Sequence, residues 1–351
     1  MDKTHKKIKL GWIGAGFVSQ VAHLSSYAEI PEAEIVALAE LRPQLGSKIC
    51  KRFDVPSYYT DHKKLLKDEN LDAVIAIVGR KNIFPISQDI LNFGYNLFTE
   101  KPMSSTVEQA ETLVNIAKIK ECIHVIGYMR RHDEGVQNAK VKLTEFQESG
   151  TLGDILFCRA YCFGGNDYCN ISGFIQTDEP LPDIKPSSIA PEWVPRKLKN
   201  EYAKFLNYFV HDINLIRYLF GIEPQVKYVN FRHSFGSVTL DFDKFPGILE
   251  FGYLDQNRWD EGVDIYFSKG RMRIILPPAF LRNQPAIVEI YKDSANDIPA
   301  TIYPKADWSW SFQRQANAFV QDIIKGNKPI ASAKDGLNDM LIIEEIWKHI
   351  V

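Results

Sequence analysis

At 351 residues the chain exceeds the size at which one hydrophobic core keeps growing, so two domains are expected. Its 42 basic and 44 acidic residues are spread along the sequence and leave a net charge of −2, which gives no electrostatic footprint for nucleic acid or for an acidic membrane. Small-molecule chemistry is the class that remains.

The first residues carry Lys3, Lys6, Lys7 and Lys9 ahead of Leu10-Gly11-Trp12-Ile13. They do not read as a secretion signal, because Gly11, Gly14, Gly16, Gln20 and His23 interrupt any hydrophobic stretch. From residue 8 to about 126, short apolar runs alternate with amphipathic segments, the pattern of a parallel sheet covered by helices. Strands are expected at Ile8 to Ile13, Ile35 to Ala39, Ala73 to Val78, Asn96 to Phe98 and His124 to Ile126. Helices are expected at Phe17 to Glu29, Gln44 to Arg52, Ile83 to Phe93 and Thr106 to Lys118. No apolar run is long enough to span a bilayer.

The first strand leads into Gly11-Trp12-Ile13-Gly14-Ala15-Gly16-Phe17-Val18-Ser19. Gly14 permits a tight turn, Gly16 lets the backbone approach a pyrophosphate, and the helix that follows offers free N–H groups at its positive end. Ser19 replaces the third glycine or alanine of this fingerprint, so looser helix packing is expected there. Gly11, Gly14, Ala15, Gly16, Phe17 and Val18 are therefore candidate dinucleotide contacts. Glu40 ends the second strand 24 residues after Gly16, where a carboxylate would accept hydrogen bonds from the adenosine ribose and repel a 2′-phosphate. Arg42 would instead pair with such a phosphate, so the cofactor is read as NAD, with NADP as the alternative. The bland reading of Glu40 is a cap for the turn.

Asn96 to Phe98 runs into Glu100-Lys101-Pro102. Proline fixes its own φ and favours an extended residue before it, so the Lys101 ammonium is presented in a set direction at a strand end, where the nicotinamide of a doubly wound dinucleotide site lies. Tyr128, Arg130, Arg131 and His132 follow the last strand. Arg131 is a candidate to grip a substrate hydroxyl, carboxylate or phosphate, against a reading as surface charge.

After Gly127 the pattern changes. A helix from about Asp133 to Ser149 ends at Gly150, and a strand runs from Gly153 to Phe163. Further strands are expected at Val226 to Ser234, Ser237 to Phe242, Gly247 to Leu254, Val263 to Ser268, Arg271 to Leu276 and Ala286 to Tyr291, with a hairpin turn at Ser268-Lys269-Gly270-Arg271. Helices are expected at Ser309 to Lys325 and Gly336 to Ile350. The whole reads as an α/β chain. Residues 1–127 would form a Rossmann doubly wound parallel sheet, and 128–351 an α+β substrate-binding and oligomerisation domain with a large, mostly antiparallel sheet. Residues 164–200, rich in proline at 180, 182, 186, 191 and 195, lack periodicity; Phe174, Ile184 and Trp193 argue against a solvated linker and favour a substrate lid over an inert strap.

Between Tyr202 and Gly221 the apolar residues recur at helical spacing, and Lys204, Asn207, His211 and Asn214 form one polar stripe. A lone histidine on a helix is usually structural. Here Asn207 and His211 stand one turn apart, and a near-neutral imidazole suits a proton acceptor for an alcohol losing hydride. The five cysteines (Cys50, Cys122, Cys158, Cys162 and Cys169) show no paired spacing and fit a reducing, cytoplasmic compartment; Cys158 and Cys162 share one strand face as small hydrophobes. No metal site is expected. Trp308, Trp310 and Phe312 are read as core packing before sugar stacking.

With these residues in place, the chain resembles the glucose-fructose oxidoreductase and inositol dehydrogenase (Gfo/Idh/MocA) family over nearly its full length. The resemblance rests on the glycine loop, Glu100-Lys101-Pro102, the step Ser149-Gly150-Thr151-Leu152-Gly153-Asp154, and the His211-Asp212 helix ending at Gly221. It implies that Lys101 lies near the nicotinamide with Glu100 beside the cofactor, that His211 is the acid or base, and that the protein forms a homodimer or homotetramer. The family usually has an aspartate four residues before this histidine, followed by a glycine; this chain has Asn207 and Phe209. Asparagine can orient a hydroxyl or imidazole but carries no charge, which shifts weight onto Lys101. The function expected is hydride transfer between nicotinamide and a secondary alcohol or ketone of a sugar, cyclitol or sugar derivative, with Lys101, Asn207, His211 and Arg131 as substrate contacts. The alternatives are a non-catalytic NAD(P)-binding sensor or subunit, and a lyase or hydrolase that reduces NAD transiently.

Overall fold

The structure is a computed structural model that describes residues 7–181, 187–293 and 298–351. Lys3 and Lys6 of the leader reading, and Pro182, Ile184 and Pro186 of the expected lid, lie outside the described residues. The chain divides into two compact units. The first comprises Met1–Gly127, Ser172–Pro191 and Phe312–Leu337; the second comprises Tyr128–Ile171, Glu192–Ser311 and Asn338–Val351. Two segments expected in the second domain, 172–191 and 312–337, thus belong to the first unit.

The first unit is built on β1 (Ile8–Ile13), β2 (Ala33–Ala39), β3 (Ser57–Tyr59), β4 (Ala73–Ala76), β5 (Asn96–Glu100) and β6 (His124–Gly127), in the order β3-β2-β1-β4-β5-β6. All pairs are parallel. Parallel strands covered on both faces must be apolar throughout, and β4 is buried at every position. A π-helical segment Ser19–Leu24 runs into α1 (Ser25–Ala28), followed by α2 (Pro43–Phe53), α3 (His62–Asp68), α4 (Arg80–Asn92) and α5 (Val107–Ile119). β3 and α3 escape sequence reading because a three-residue strand and a seven-residue helix are too short to show a period. Leu10, Trp12, Leu24, Leu38, Ile75 and Phe98 form the core, joined by Phe319 and Val320 of α8 (described below).

The second unit holds α6 (Glu134–Ser149), capped by Asp133 and closed by Gly150 at φ 65°, and then β7 (Ile155–Gly164). The 22-residue α7 (Lys199–Phe220) follows, ending at Gly221 in the left-handed conformation. After it come β8 (Gln225–Arg232), β9 (Phe235–Asp241), β10 (Pro246–Tyr253), β11 (Asp260–Phe267), β12 (Gly270–Leu276), β13 (Ile287–Lys292) and β14 (Ala300–Ile302). The eight-stranded sheet has the order β14-β13-β12-β11-β7-β10-β9-β8. It is antiparallel except where β7 lies parallel to β10. α7 lays Phe205 and Phe209 on Phe251 of β10, with ring centroids 5.1 and 4.7 Å apart. Both expected sheets are present.

The chain closes with α8 (Ser311–Lys325) and α9 (Ala333–Lys348). α9 starts three residues before the expected Gly336, because Ser332 and Asp335 exchange hydrogen bonds and cap it: the Asp335 carboxylate accepts from the Ser332 amide at 3.0 Å.

Candidate active site

β1 delivers the chain to Gly14, whose φ of 89° is left-handed and whose missing Cβ would lie 2.4 Å from the carbonyl oxygen of Ile77; no other residue fits there. A Cβ on Gly16 would meet nothing within 4 Å, so the turn is open on that side, as a pyrophosphate-binding loop requires. Trp12 pins the turn from below. Its indole N–H donates to Gly14 O (3.1 Å) and Ser19 Oγ (2.9 Å), and the Ser19 hydroxyl donates to Gly14 O at 2.7 Å. Ser19 therefore braces the turn, where looser packing was expected. Gly11 lies within β1, and its Cβ would come within 2.5 Å of Leu71 Cδ1, which gives it a packing role.

Glu40 is buried and turned back onto the loop: Oε2 accepts from the Ala15 amide (2.9 Å) and Oε1 from Arg42 Nε (2.7 Å). The two residues expected to compete over the ribose thus hold each other. Beside them lies the strap of residues 172–181. Gln20 pairs with the Ile175 backbone at both ends of its amide (2.7 and 3.0 Å), and Phe174 meets Phe17 edge-on at 4.9 Å. Glu179 accepts from the amides of Gln44 (2.8 Å) and Leu45 (2.9 Å). Desolvation is the largest single influence on its carboxyl and raises the pKa, but these amides, the Thr177 hydroxyl and nearby Arg42 together outweigh it and hold it below the usual value. Sequence reading missed Gln20 and Glu179, and their only signal was the non-periodic, proline-rich stretch.

At the end of β5 the Glu100 carboxylate is held from two sides. Oε1 lies 2.7 Å from Nε2 of the fully buried His23, and Oε2 accepts from the Lys101 amide at 3.1 Å. A Cβ on Gly127, opposite Glu100 across the β5–β6 pair, would sit 3.1 Å from Oε1, so glycine leaves the room that this carboxylate fills. The Lys101-Pro102 peptide is cis, and Lys101 is half-buried. His23, also missed, packs its ring against Phe98 and Phe312 at 5.4 and 5.3 Å. One residue earlier, Thr99 Oγ1 lies 3.1 Å from Nε2 of His124, whose pKa burial lowers to about 3.

In the second unit the polar stripe of α7 is graded. Lys204 is exposed, Asn207 and His211 are half-buried, and Asn214 is buried. Asn214 accepts from Arg131 Nε and donates to Asp339 of α9, both at 2.7 Å. Asp339 also binds Arg217 and the Tyr128 hydroxyl. The Arg131 guanidinium lies over Tyr218 at 5.2 Å and Tyr128 at 6.0 Å. Arg131 is only 4% exposed, so the expected substrate grip gives way to a buried structural tie, and the surface-charge reading fails as well. Tyr128 meets the His211 ring edge-on at 6.5 Å. Asp212, next to His211, is buried beside Cys162; burial and then Glu261 push its carboxyl up, while Arg130 opposes the shift. Trp310 and Phe312 are buried, whereas Trp308 is exposed.

Residues 8–128 match the profile of the "Oxidoreductase family, NAD-binding Rossmann fold", Gfo/Idh/MocA. Over these residues the chain carries the NAD-binding domain of the Gfo/Idh/MocA family. Like NAD(P)-dependent oxidoreductases of this family, it carries the cofactor fold in its amino-terminal unit. It is 22% identical to myo-inositol 2-dehydrogenase of Thermotoga maritima, over 95% of this chain and 94% of that one. It is 30% identical to an inositol 2-dehydrogenase/D-chiro-inositol 3-dehydrogenase of Lacticaseibacillus casei, over half of each. Among solved structures, a 3-ketoreductase from Actinomadura kijaniata in complex with NADP and TDP-benzene superposes with a TM-score of 0.76 at 18% identity, covering 98% of both chains. Aldose-aldose oxidoreductase from Caulobacter crescentus gives 0.75 at 18%, over 98% and 97%. Within this Gfo/Idh/MocA domain the open glycine turn and the Glu40 carboxylate fit a nicotinamide dinucleotide.

Proposed function

We propose that the chain is an NAD(P)-dependent dehydrogenase that moves a hydride between nicotinamide and a secondary alcohol or ketone of a sugar, cyclitol or sugar derivative. The observation that carries the reading is Lys101 at the carboxyl end of β5, its backbone fixed by Glu100, in the sheet whose β1 opens into the glycine turn. The inositol dehydrogenases among its relatives support the substrate class. Bound nicotinamide supplies the hydride acceptor or donor. Lys101 hydrogen-bonds the reacting oxygen and stabilises alkoxide character through its charge. His211 carries the proton, and Asn207, one turn before it, orients a hydroxyl or the imidazole. The backbone of Gly14, Ala15, Gly16, Phe17 and Val18 receives the pyrophosphate, Glu40 with Arg42 frames the ribose, and Glu100 holds the nicotinamide end.

The test is the appearance of reduced nicotinamide with a panel of inositols, sugars and sugar nucleotides. Dinucleotide binding without turnover on any of them overturns the dehydrogenase reading; product formed with no net reduction of NAD points to transient redox chemistry.

We also propose self-association through the sheet of the second unit, where Tyr266, Ile275, Ile287 and Tyr291 are exposed and Ile275 faces Ile287 across β12 and β13. Light scattering of the full chain checks it. Five free cysteines support a cytoplasmic setting, and no helix among the described residues is long and apolar enough to cross a membrane.

A further inference from the structure

We infer that Glu179 is a specificity-determining residue that selects NAD over NADP, by occupying the groups of the β2–α2 turn that a 2′-phosphate would need. The inference rests on the reading of the glycine turn as a nicotinamide dinucleotide site and extends it to a segment expected to serve the substrate.

In a doubly wound dinucleotide site the acid at the end of the second strand takes the ribose 2′-hydroxyl, whereas a 2′-phosphate is received by a nearby arginine. Backbone amides at a helix start are the other natural partners for such an anion. In this turn Arg42 is the only cation between Glu40 and Ser47, and its Nε already donates to Glu40 at 2.7 Å. Pro43 opens the 11-residue α2 and has no N–H, so Gln44 and Leu45 provide its first amides. Both donate to the Glu179 carboxylate, at 2.8 and 2.9 Å, and the Thr177 hydroxyl aims that carboxylate from 3.0 Å. The cation and the two amides are thus each matched by a carboxylate of the chain itself.

The strap is held where this requires it. Gln20, in the segment that follows the glycine turn, takes the Ile175 backbone in two hydrogen bonds, and Arg52 donates to the Gly173 carbonyl at 2.6 Å. Further on, the Ser187 amide donates to Lys81 O at the start of α4, at 3.2 Å. The described parts of the strap are therefore tied to the starts of α2 and α4. A 2′-phosphate brings about −1.5 to −2 charges into this turn. It would have to displace Glu179 or lie beside it and Glu40. A neutral 2′-hydroxyl can donate to Glu40 and disturb neither.

The experiment is the dissociation constant of NADH and of NADPH, by nicotinamide fluorescence, for the full chain and for Glu179→Ala and Glu179→Gln, with 5′-AMP and 2′,5′-ADP titrated calorimetrically as nicotinamide-free probes. Wild type should prefer NADH. Glu179→Ala should tighten NADPH and 2′,5′-ADP by about tenfold or more, equivalent to one strong charged contact, with NADH and 5′-AMP within about threefold. Glu179→Gln should fall between, since its amide oxygen still caps one N–H without the charge. An NADPH-to-NADH ratio unchanged in both variants, an equal weakening of both dinucleotides, or a wild type that binds both alike overturns the assignment. A wild type that binds neither dinucleotide overturns the cofactor reading itself, a separate result.

Discussion

The end of β5 and the face of α7 each carry a residue assigned to proton and charge chemistry, yet they are supported in opposite ways. At β5 the Lys101 backbone is fixed at its own position: Glu100 grips the Lys101 amide and is itself gripped by His23. On α7 the polar stripe runs from a buried end to a more open one: Asn214 is locked between Arg131 and Asp339, while Asn207 and His211 are half-buried. Under the proposed chemistry, a lysine that meets the same nicotinamide in every turnover benefits from a fixed backbone, whereas the half-buried end of the stripe, facing the polyol, leaves access to substrate.

The contrast breaks if the lysine is dispensable. Lys101→Met should lower kcat about a thousandfold, near 4 kcal/mol of transition-state stabilisation, while leaving the NADH dissociation constant within about threefold. Turnover within a few-fold of wild type would remove the role of β5 altogether. The next largest effect is at the root of the stripe. The Asp339 carboxyl is fully buried, its pKa raised by that burial and opposed by Arg217 and Arg131, so Asp339→Ala leaves the buried Arg217 guanidinium on Glu223 alone and takes from Asn214 its carboxylate acceptor. A loss of about 3 kcal/mol in urea unfolding is expected. A variant as stable as wild type would mean that α7 is anchored elsewhere.

How much of this could be seen in the sequence follows the same division. The glycine turn was legible because its geometry is set by neighbours in the chain: a strand, a turn that only Gly14 can make, and a helical segment after it. The two sheets were legible from alternation and apolar runs. What stayed hidden depends on partners far away. His23 lies 77 residues from Glu100, Gln20 lies 155 from Ile175, and Glu179 reaches Gln44 across 135. Arg131 was misread for the same reason, since nothing near it announces Asn214, 83 residues on. The placement of 172–191 in the first unit could not be read either, because a segment without periodicity carries no sign of which core it covers.

The tip of the stripe gives a smaller effect and a sharper one. His211→Gln should lower kcat/KM about a hundredfold, at the low end for a lost proton carrier. Asn207→Asp places a carboxylate one turn away and should raise the histidine's basicity, so the acidic limb of the pH–kcat/KM profile should move to higher pH. If the limb does not move, Asn207 acts on the substrate and not on the imidazole.

The smallest effect sets the rigid side against pH. His124 is buried at the start of β6, beside Thr99 of the neighbouring β5, and its pKa is lowered to about 3 from an ordinary 6.5 by desolvation. The unfolded chain therefore takes up a proton at this residue as pH falls through about 6.5, and the native state does not until about 3. Stability from the neutral imidazole is complete above the upper value and is lost progressively below it, with a slope of up to about 1.4 kcal/mol per pH unit. His124→Gln, which keeps a donor and acceptor beside Thr99 but cannot titrate, should flatten urea-unfolding stability between about pH 6 and pH 4 by one proton's worth of slope. Any constant offset from repacking would persist above pH 7 and is separable from the slope. An unchanged slope would mean that the acid sensitivity of the first unit lies in other groups, and that the start of β6 opens to water before the unit unfolds.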